Sequence, residues 1–185
     1  MTVETITLRS FTDLSDIRET LIGVYADVRA ELLHLPNYKL TTFAERLDRH
    51  GAEPGWEAAI AYEHGEAVGY AYANTIEPGN RWWTRLTSPP PNIYTAGPVV
   101  AIKEIGVVQK WRGQGIAQRL HDDLLKSRAE RYTTLCVNGA AGGGKVQALY
   151  ERWGYETIGH QQPLSPDAPQ LTCMGRPVSH RVQNP

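Results

Sequence analysis

VVQKWRGQGIA, residues 107–117, joins an apolar run to an amphipathic segment through two glycines. Upstream, Val99–Val108 reads as a central strand, and downstream Ile116, Leu120 and Leu124 recur on one helical face. Gly113 and Gly115 have no Cβ, so a ligand can approach the backbone there. The start of the following helix offers free N–H groups and the positive end of its dipole. Arg112 adds a full charge. Strand, glycine turn and helix N-terminus together make a pyrophosphate cradle. The competing reading is a turn whose glycines serve only tight helix packing.

The flanking sequence sets this unit in an α/β chain. Thr5–Arg9 alternates as a short strand, after which Thr12 or Asp13 can cap a helix carrying Leu14, Ile17, Leu21, Val24, Tyr25, Val28 and Leu32 on one face. Pro36 ends it, and Thr41 or Thr42 opens a second helix running to about His50. Trp56–Tyr62 and Ala67–Ala73 read as a hairpin turning at Gly65. Asn74–Pro98, with Trp82, Trp83, Tyr94 and five prolines, reads as a lid or binding loop. Beyond the cradle helix come a strand at Tyr132–Val137, a helix at Lys145–Trp153, and closing strands at Tyr155–His160 and Leu171–Arg176.

Composition narrows the class. The 185 residues suit one domain, expected over 1–178, with a loose tail at 179–185. Nineteen Lys and Arg against twenty Asp and Glu give a net charge of -1, which argues against a nucleic-acid partner or an acidic membrane surface. The longest uncharged stretch, Leu86–Ile102, contains four prolines and is no membrane helix. MTVETITLRS lacks a basic region followed by an apolar core, so no signal peptide is expected. Cys136 and Cys173, the only cysteines, lie too far apart for a zinc spacing; buried thiols in a reducing cytoplasm are expected. The six histidines show no ligand spacing, and no metal is expected. His34 and His50 are read as capping helix ends, and His121 with Asp122 and Asp123 as part of a solvated face.

A second motif, ALYERWGYETIG at 148–159, follows the first. Together the two segments resemble the GNAT (GCN5-related N-acetyltransferase) superfamily. Arg112, Gly115 and Ala117 match its acyl-CoA motif, (R/Q)xxGx(G/A), and Tyr150, Gly154 and Tyr155 match its later helix-and-strand motif. The resemblance is strong over Val99–Gly159. It implies a mixed, mostly antiparallel sheet of six or seven strands flanked by helices, with a splayed strand pair as cofactor cleft. It also implies acetyl transfer from acetyl-CoA to a primary amine within a ternary complex, and a homodimer. The backbone of Ile105, Gly106 and Val107 would then pair with the pantetheine arm, and Arg112, Gly113, Gln114, Gly115, Ile116 and Ala117 would hold the pyrophosphate. A backbone N–H near Val107 would stabilise the oxyanion, and the Tyr150 hydroxyl would protonate the departing thiolate.

A primary alkylamine, with a pKa of about 10, must lose a proton before attack. Glu104 is the leading base; the alternative is an ion pair that ties elements together. Glu77 is a weaker candidate. The family often has asparagine seven residues before the tyrosine, and here Gly143 stands there. For the acceptor, the resemblance points to Tyr25–Tyr38 and Asn74–Tyr94. Arg81, Trp82 and Trp83 could wall a small molecule, with Glu77 near its ammonium, or the tryptophans could seal the domain or an interface. Two other functions stay open: a catalytically silent acyl-CoA-binding regulatory module, and a P-loop nucleotide binder at GAAGGGK, residues 139–145. The latter lacks the Ser or Thr that would ligate magnesium, since Val146 follows the lysine.

Overall fold

The computed structural model describes residues 5–163 and 168–179. Its strands are β1 (Ile6–Phe11), β2 (Glu57–Glu63), β3 (Glu66–Ile76), β4 (Val99–Val107), β5 (Tyr132–Asn138), β6 (Glu156–Gln161) and β7 (Leu171–Pro177). The helices are α1 (Arg18–Val28), α2 (Leu40–Gly51), α3 (Arg81–Thr84), α4 (Ile116–Leu125) and α5 (Lys145–Arg152). The strands form one sheet in the order β1-β2-β3-β4-β5-β7-β6. The pairs β1/β2, β2/β3, β5/β7 and β6/β7 are antiparallel, so the expected mostly antiparallel α/β fold is the one that forms. The chain divides into two compact units, Met1–Asn74 with Ile102–Ser127, and Thr75–Ala101 with Arg128–Pro185. Of the tail expected at 179–185, residues 180–185 lie outside the described residues.

In the second of these units, the segment read as a lid is largely packed. Asn80 caps α3 by accepting from the Trp82 N–H, and Trp83 enters a core with Ile76, Tyr94, Val99, Ala101 and Cys173. The Trp82 indole N–H donates to Thr134 Oγ1 at 3.3 Å, and Gln161 donates to the Trp82 carbonyl at 2.8 Å. The two cysteines, distant in sequence, are directly opposed in the β5/β7 register.

In the other unit, β2 and β3 meet at His64 (φ 48°) and Gly65 (φ 84°). Two left-handed residues suit the twist of a tight hairpin. Asp13 accepts from the Ser15 N–H and starts a short 3-10 turn ahead of α1. That helix ends at Val28, four residues short of Leu32: the Arg29 N–H closes the last turn on the Tyr25 carbonyl, and residues 30–34 continue as turns ahead of a 3-10 turn at Pro36–Tyr38. Its buried face is Leu21, Val24, Tyr25 and Val28, with the Tyr25 ring stacked 3.7 Å from that of Phe43 on α2. Thr42 does not cap α2, which starts at Leu40; its hydroxyl donates to the Pro36 carbonyl.

Helical spacing puts Arg46 and His50 beside the buried Phe43 and Leu47. His50 therefore does not cap carbonyls; its Nδ1 lies 3.0 Å from the Tyr72 hydroxyl. His121 is likewise no part of a solvated face, being fully buried on α4 with Nδ1 2.9 Å from Asp122.

Burial, reinforced by the positive charges of Lys103, Arg46 and Arg49, pushes the His50 pKa down to about 3. The unfolded chain, with an imidazole pKa of about 6.5, takes up a proton before the folded chain does. Stability is therefore expected to fall as pH drops from about 6.5 towards 3. His50→Gln should flatten that slope in urea unfolding curves taken across the range, and an unchanged slope would assign the acid sensitivity to other groups.

Candidate active site

The cradle is built as the glycine pattern predicts. Gly113 (φ 76°) and Gly115 (φ 78°) are left-handed, and a Cβ at either would meet nothing within 4 Å. Gly115 is the N-cap of α4 and brings no capping side chain, so the N–H groups of the first turn face outward without intrahelical acceptors. This surface fits an anionic pyrophosphate. Arg112 contributes differently from expectation: its Nε donates to the Val107 carbonyl at 2.9 Å and one terminal nitrogen to the Val28 carbonyl at 3.3 Å. The guanidinium braces the turn against β4 and α1, and its charge stays beside the cradle.

On β4, Lys103, Glu104 and Ile105 are half-buried between fully buried neighbours on either side. Gly106 is small for a packing reason, because a Cβ there would come within 2.8 Å of Val28 Cγ1 and 2.9 Å of Tyr70 Cε1. Gly69 on β3 similarly faces the Gly106 carbonyl and Leu120 of α4, each 3.2 Å from where a Cβ would be. The close passage of β3, β4 and α4 thus rests on glycines next to the cradle.

Glu104 is the centre of a charged cluster. Arg46 donates to Glu104 Oε1 at 3.0 Å, the Tyr70 hydroxyl donates to Oε2 at 3.1 Å, and an Arg29 terminal nitrogen lies 3.8 Å from Oε2. Burial and the neighbouring carboxylate raise the Tyr70 pKa well above its ordinary value, so Tyr70 remains a donor. Both carboxylate oxygens are engaged, which is the ion-pair alternative for Glu104. Arg29, Arg46 and Tyr70 were not anticipated. No local spacing links Arg46 to a residue 58 positions away, although a basic residue three places after Phe43, on the apolar face of α2, was a legible sign.

In the other unit, the Tyr150 ring is held edge-on by Trp153 (centroids 5.4 Å apart) and Tyr155 (6.1 Å), with its side chain half-buried. Gly142, Gly143 and Gly144 are successively left-handed (φ 58°, 66° and 88°) and deliver the chain into α5. Only glycine adopts such a run at low cost, which accounts for Gly143 in place of an asparagine. Glu77 and Arg81 are exposed, whereas Trp83 is core and Trp82 is half-buried and hydrogen-bonded into the unit. Among the described residues, no group of three or more His, Cys, Asp or Glu could hold a metal ion, and no helix is long and apolar enough to cross a membrane.

Comparison with known proteins bears on the family and the fold. Residues 54–157, more than half of the chain, match the family model "Acetyltransferase (GNAT) domain". A search of curated proteins finds no match. Among solved structures, the chain is similar to Arabidopsis thaliana NAA60 in complex with acetyl-CoA (TM-score 0.64, 18% identity, covering 94% of this chain and 98% of that one). It is also similar to the ribosomal-protein-S18-alanine N-acetyltransferase of Escherichia coli (0.61, 17%, 97% and 97%) and to an aminoglycoside 6'-acetyltransferase type Ii (0.62, 18%, 95% and 99%). The match across both motifs, on a mostly antiparallel sheet that a P-loop nucleotide binder would not have, settles the family: this chain belongs to the GNAT acetyltransferases.

Proposed function

We propose that this protein transfers the acetyl group of acetyl-CoA to the primary amine of a small molecule, by direct attack within a ternary complex. The observation that carries the donor side is the open left-handed turn at Gly113 and Gly115, leading into an uncapped helix N-terminus. In this reading the N–H groups of Gly113–Ala117 hold the pyrophosphate, with Gln114 and Ile116 contributing backbone alone, and Ile105–Val107 lie along the pantetheine arm. A small acceptor is supported by the recessed Glu104, whose side chain is only 13% exposed and is reached past two arginines. The proposal also takes in the single domain over 1–178, a cytoplasmic setting and a homodimer; size-exclusion chromatography reads the last.

The chemistry follows from the attack. The neutral amine forms a bond to the acetyl carbon, the carbon–sulfur bond breaks as the intermediate collapses, the thiolate takes a proton from Tyr150, and the nitrogen gives up its extra proton to solvent, from which Tyr150 is reprotonated. Two aromatic edges limit the Tyr150 ring to a narrow range of positions, as a general acid requires. Glu104 is assigned here to positioning Arg29 and Arg46 rather than to proton removal, because its oxygens already accept from Arg46 and Tyr70.

Three variants test these assignments. Tyr150→Phe should lower kcat by about ten- to a thousandfold with little change in acetyl-CoA affinity, since general acid catalysis contributes about 10²–10⁴; unchanged turnover would remove Tyr150 from the mechanism. Gly115→Asp keeps a residue type that tolerates positive φ while adding negative charge, so it should fold yet lose the thermal stabilisation by acetyl-CoA. A retained shift would place the donor elsewhere. Glu104→Gln should lower kcat by less than about tenfold and keep the pH profile of kcat; loss of about a hundredfold together with one limb of that profile would restore Glu104 as the base. A protein that binds acetyl-CoA and releases no CoA with any amine would be the silent module.

A further inference from the structure

The cluster around Glu104 is not balanced in charge. Arg29 and Arg46 bring two positive charges to one carboxylate, leaving a net +1. The adjacent Lys103 lies 3.7 Å from Glu53, its own counter-charge, and His50 is neutral above about pH 3, so neither changes that balance. The arginines differ in their commitments. Arg46 hydrogen-bonds Glu104 and reaches the Asn37 carbonyl at 3.5 Å. Arg29 makes no contact with Glu104 shorter than 3.8 Å, its guanidinium lies 6.0 Å from the Tyr38 ring centroid, and its Nε is buried with no hydrogen-bond partner.

A buried guanidinium donor with no acceptor is costly, and an excess charge in partly desolvated surroundings attracts a counter-ion. Both side chains keep some exposure, 28% for Arg29 and 26% for Arg46, so each is reached from solvent. A planar carboxylate matches the donor fork of an arginine. On the acetyl-transfer reading the cluster also lies near the thioester: Glu104 stands three residues before Val107 on β4, a backbone separation of about 10 Å at about 3.3 Å per residue.

We propose that the acceptor carries a carboxylate within about 10 Å of its reactive amine, and that Arg29 receives this carboxylate, with Arg46 beside it. This rests on the acetyl-transfer reading above and names its substrate class. Arg29 is then a specificity residue: it selects amino acids, or short chains with a free carboxylate, over the corresponding amines and amides.

The test uses matched probes, β-alanine against β-alaninamide and γ-aminobutyrate against its amide, as acceptors in an assay of CoA release. At least one acid should exceed its amide in kcat/KM by about tenfold or more, the size of a lost hydrogen-bonded charge contact. Arg29→Gln should lower the acid's kcat/KM at least about tenfold more than the amide's, and Arg29→Lys, which keeps charge without the fork, should fall between. Amides equal to or better than acids, or variants that lower both alike, would overturn the proposal. A readout free of turnover is the binding of N-acetyl-β-alanine against N-acetyl-β-alaninamide to the CoA-loaded protein, followed by NMR. Acid-selective binding that Arg29→Gln removes supports the proposal, and equal or absent binding sinks it. Thermal stabilisation by acetyl-CoA is read separately: a shift without acid preference overturns the acceptor proposal alone, whereas no shift overturns the acetyl-transfer reading with it.

Discussion

A carboxylate withdrawn from water needs partners, and the demands of Glu104 organise the first unit. Removing such a charge from solvent costs of the order of several kcal/mol unless hydrogen bonds and opposite charge replace the lost hydration. The replacements come from three other elements: Arg29 just past α1, Arg46 on α2 and Tyr70 on β3. Each arrives on an apolar scaffold. Val28, Phe43 and Leu47 are buried beside the basic residues, and Tyr25, Phe43 and Tyr70 pack ring against ring. Hydrophobic burial sets the elements in place, and the polar cluster fixes which side chains face one another.

Glycine does the complementary work of allowing close approach. Gly106 lets β4 pass Val28 of α1 and Tyr70 of β3 more closely than a Cβ would permit, Gly69 leaves only a tight fit to the Gly106 carbonyl and Leu120 of α4, and Gly113 and Gly115 turn the chain from β4 into α4 with the helix N-terminus uncapped. Arg112 then holds the turn by donating to carbonyls of β4 and of α1's last residue. The same short stretch thereby presents a recessed charged cluster and a turn ending in an uncapped helix N-terminus on consecutive elements. On the proposed reading, a donor site beside a charged acceptor site limits the geometries in which amine and thioester can meet.

What could be read from the chain follows the range of the interactions. The cradle, the hairpin and most helices were legible because period, capping and glycine placement are local signals, as with the His64–Gly65 turn and the Gly115 N-cap. The end of α1 was misjudged because apolar spacing continues to Leu32 while the Arg29 turn closes the helix at Val28. The cap reading of His50 and the solvated-face reading of His121 fail because the partners and burial of a side chain are decided by residues such as Tyr72, far away in sequence. The Arg29–Arg46–Glu104 cluster and the facing cysteines Cys136 and Cys173 depend wholly on tertiary pairing and register. The aromatic loop stayed ambiguous for a related reason. Tryptophan serves both pockets and cores, and only the packing of Trp83 among Ile76, Tyr94 and Cys173 tells them apart.

The central claim is that the Gly113–Ala117 turn and the end of β4 form the donor site. Backbone amide NMR of the full chain, titrated with acetyl-CoA, tests it directly, because each N–H in the turn reports its own hydrogen bond. The account predicts the largest shifts at Gly113, Gln114, Gly115, Ile116 and Ala117, accompanied by shifts at Ile105–Val107. Saturable binding that leaves those amides unmoved, or no binding at millimolar acetyl-CoA, would contradict it.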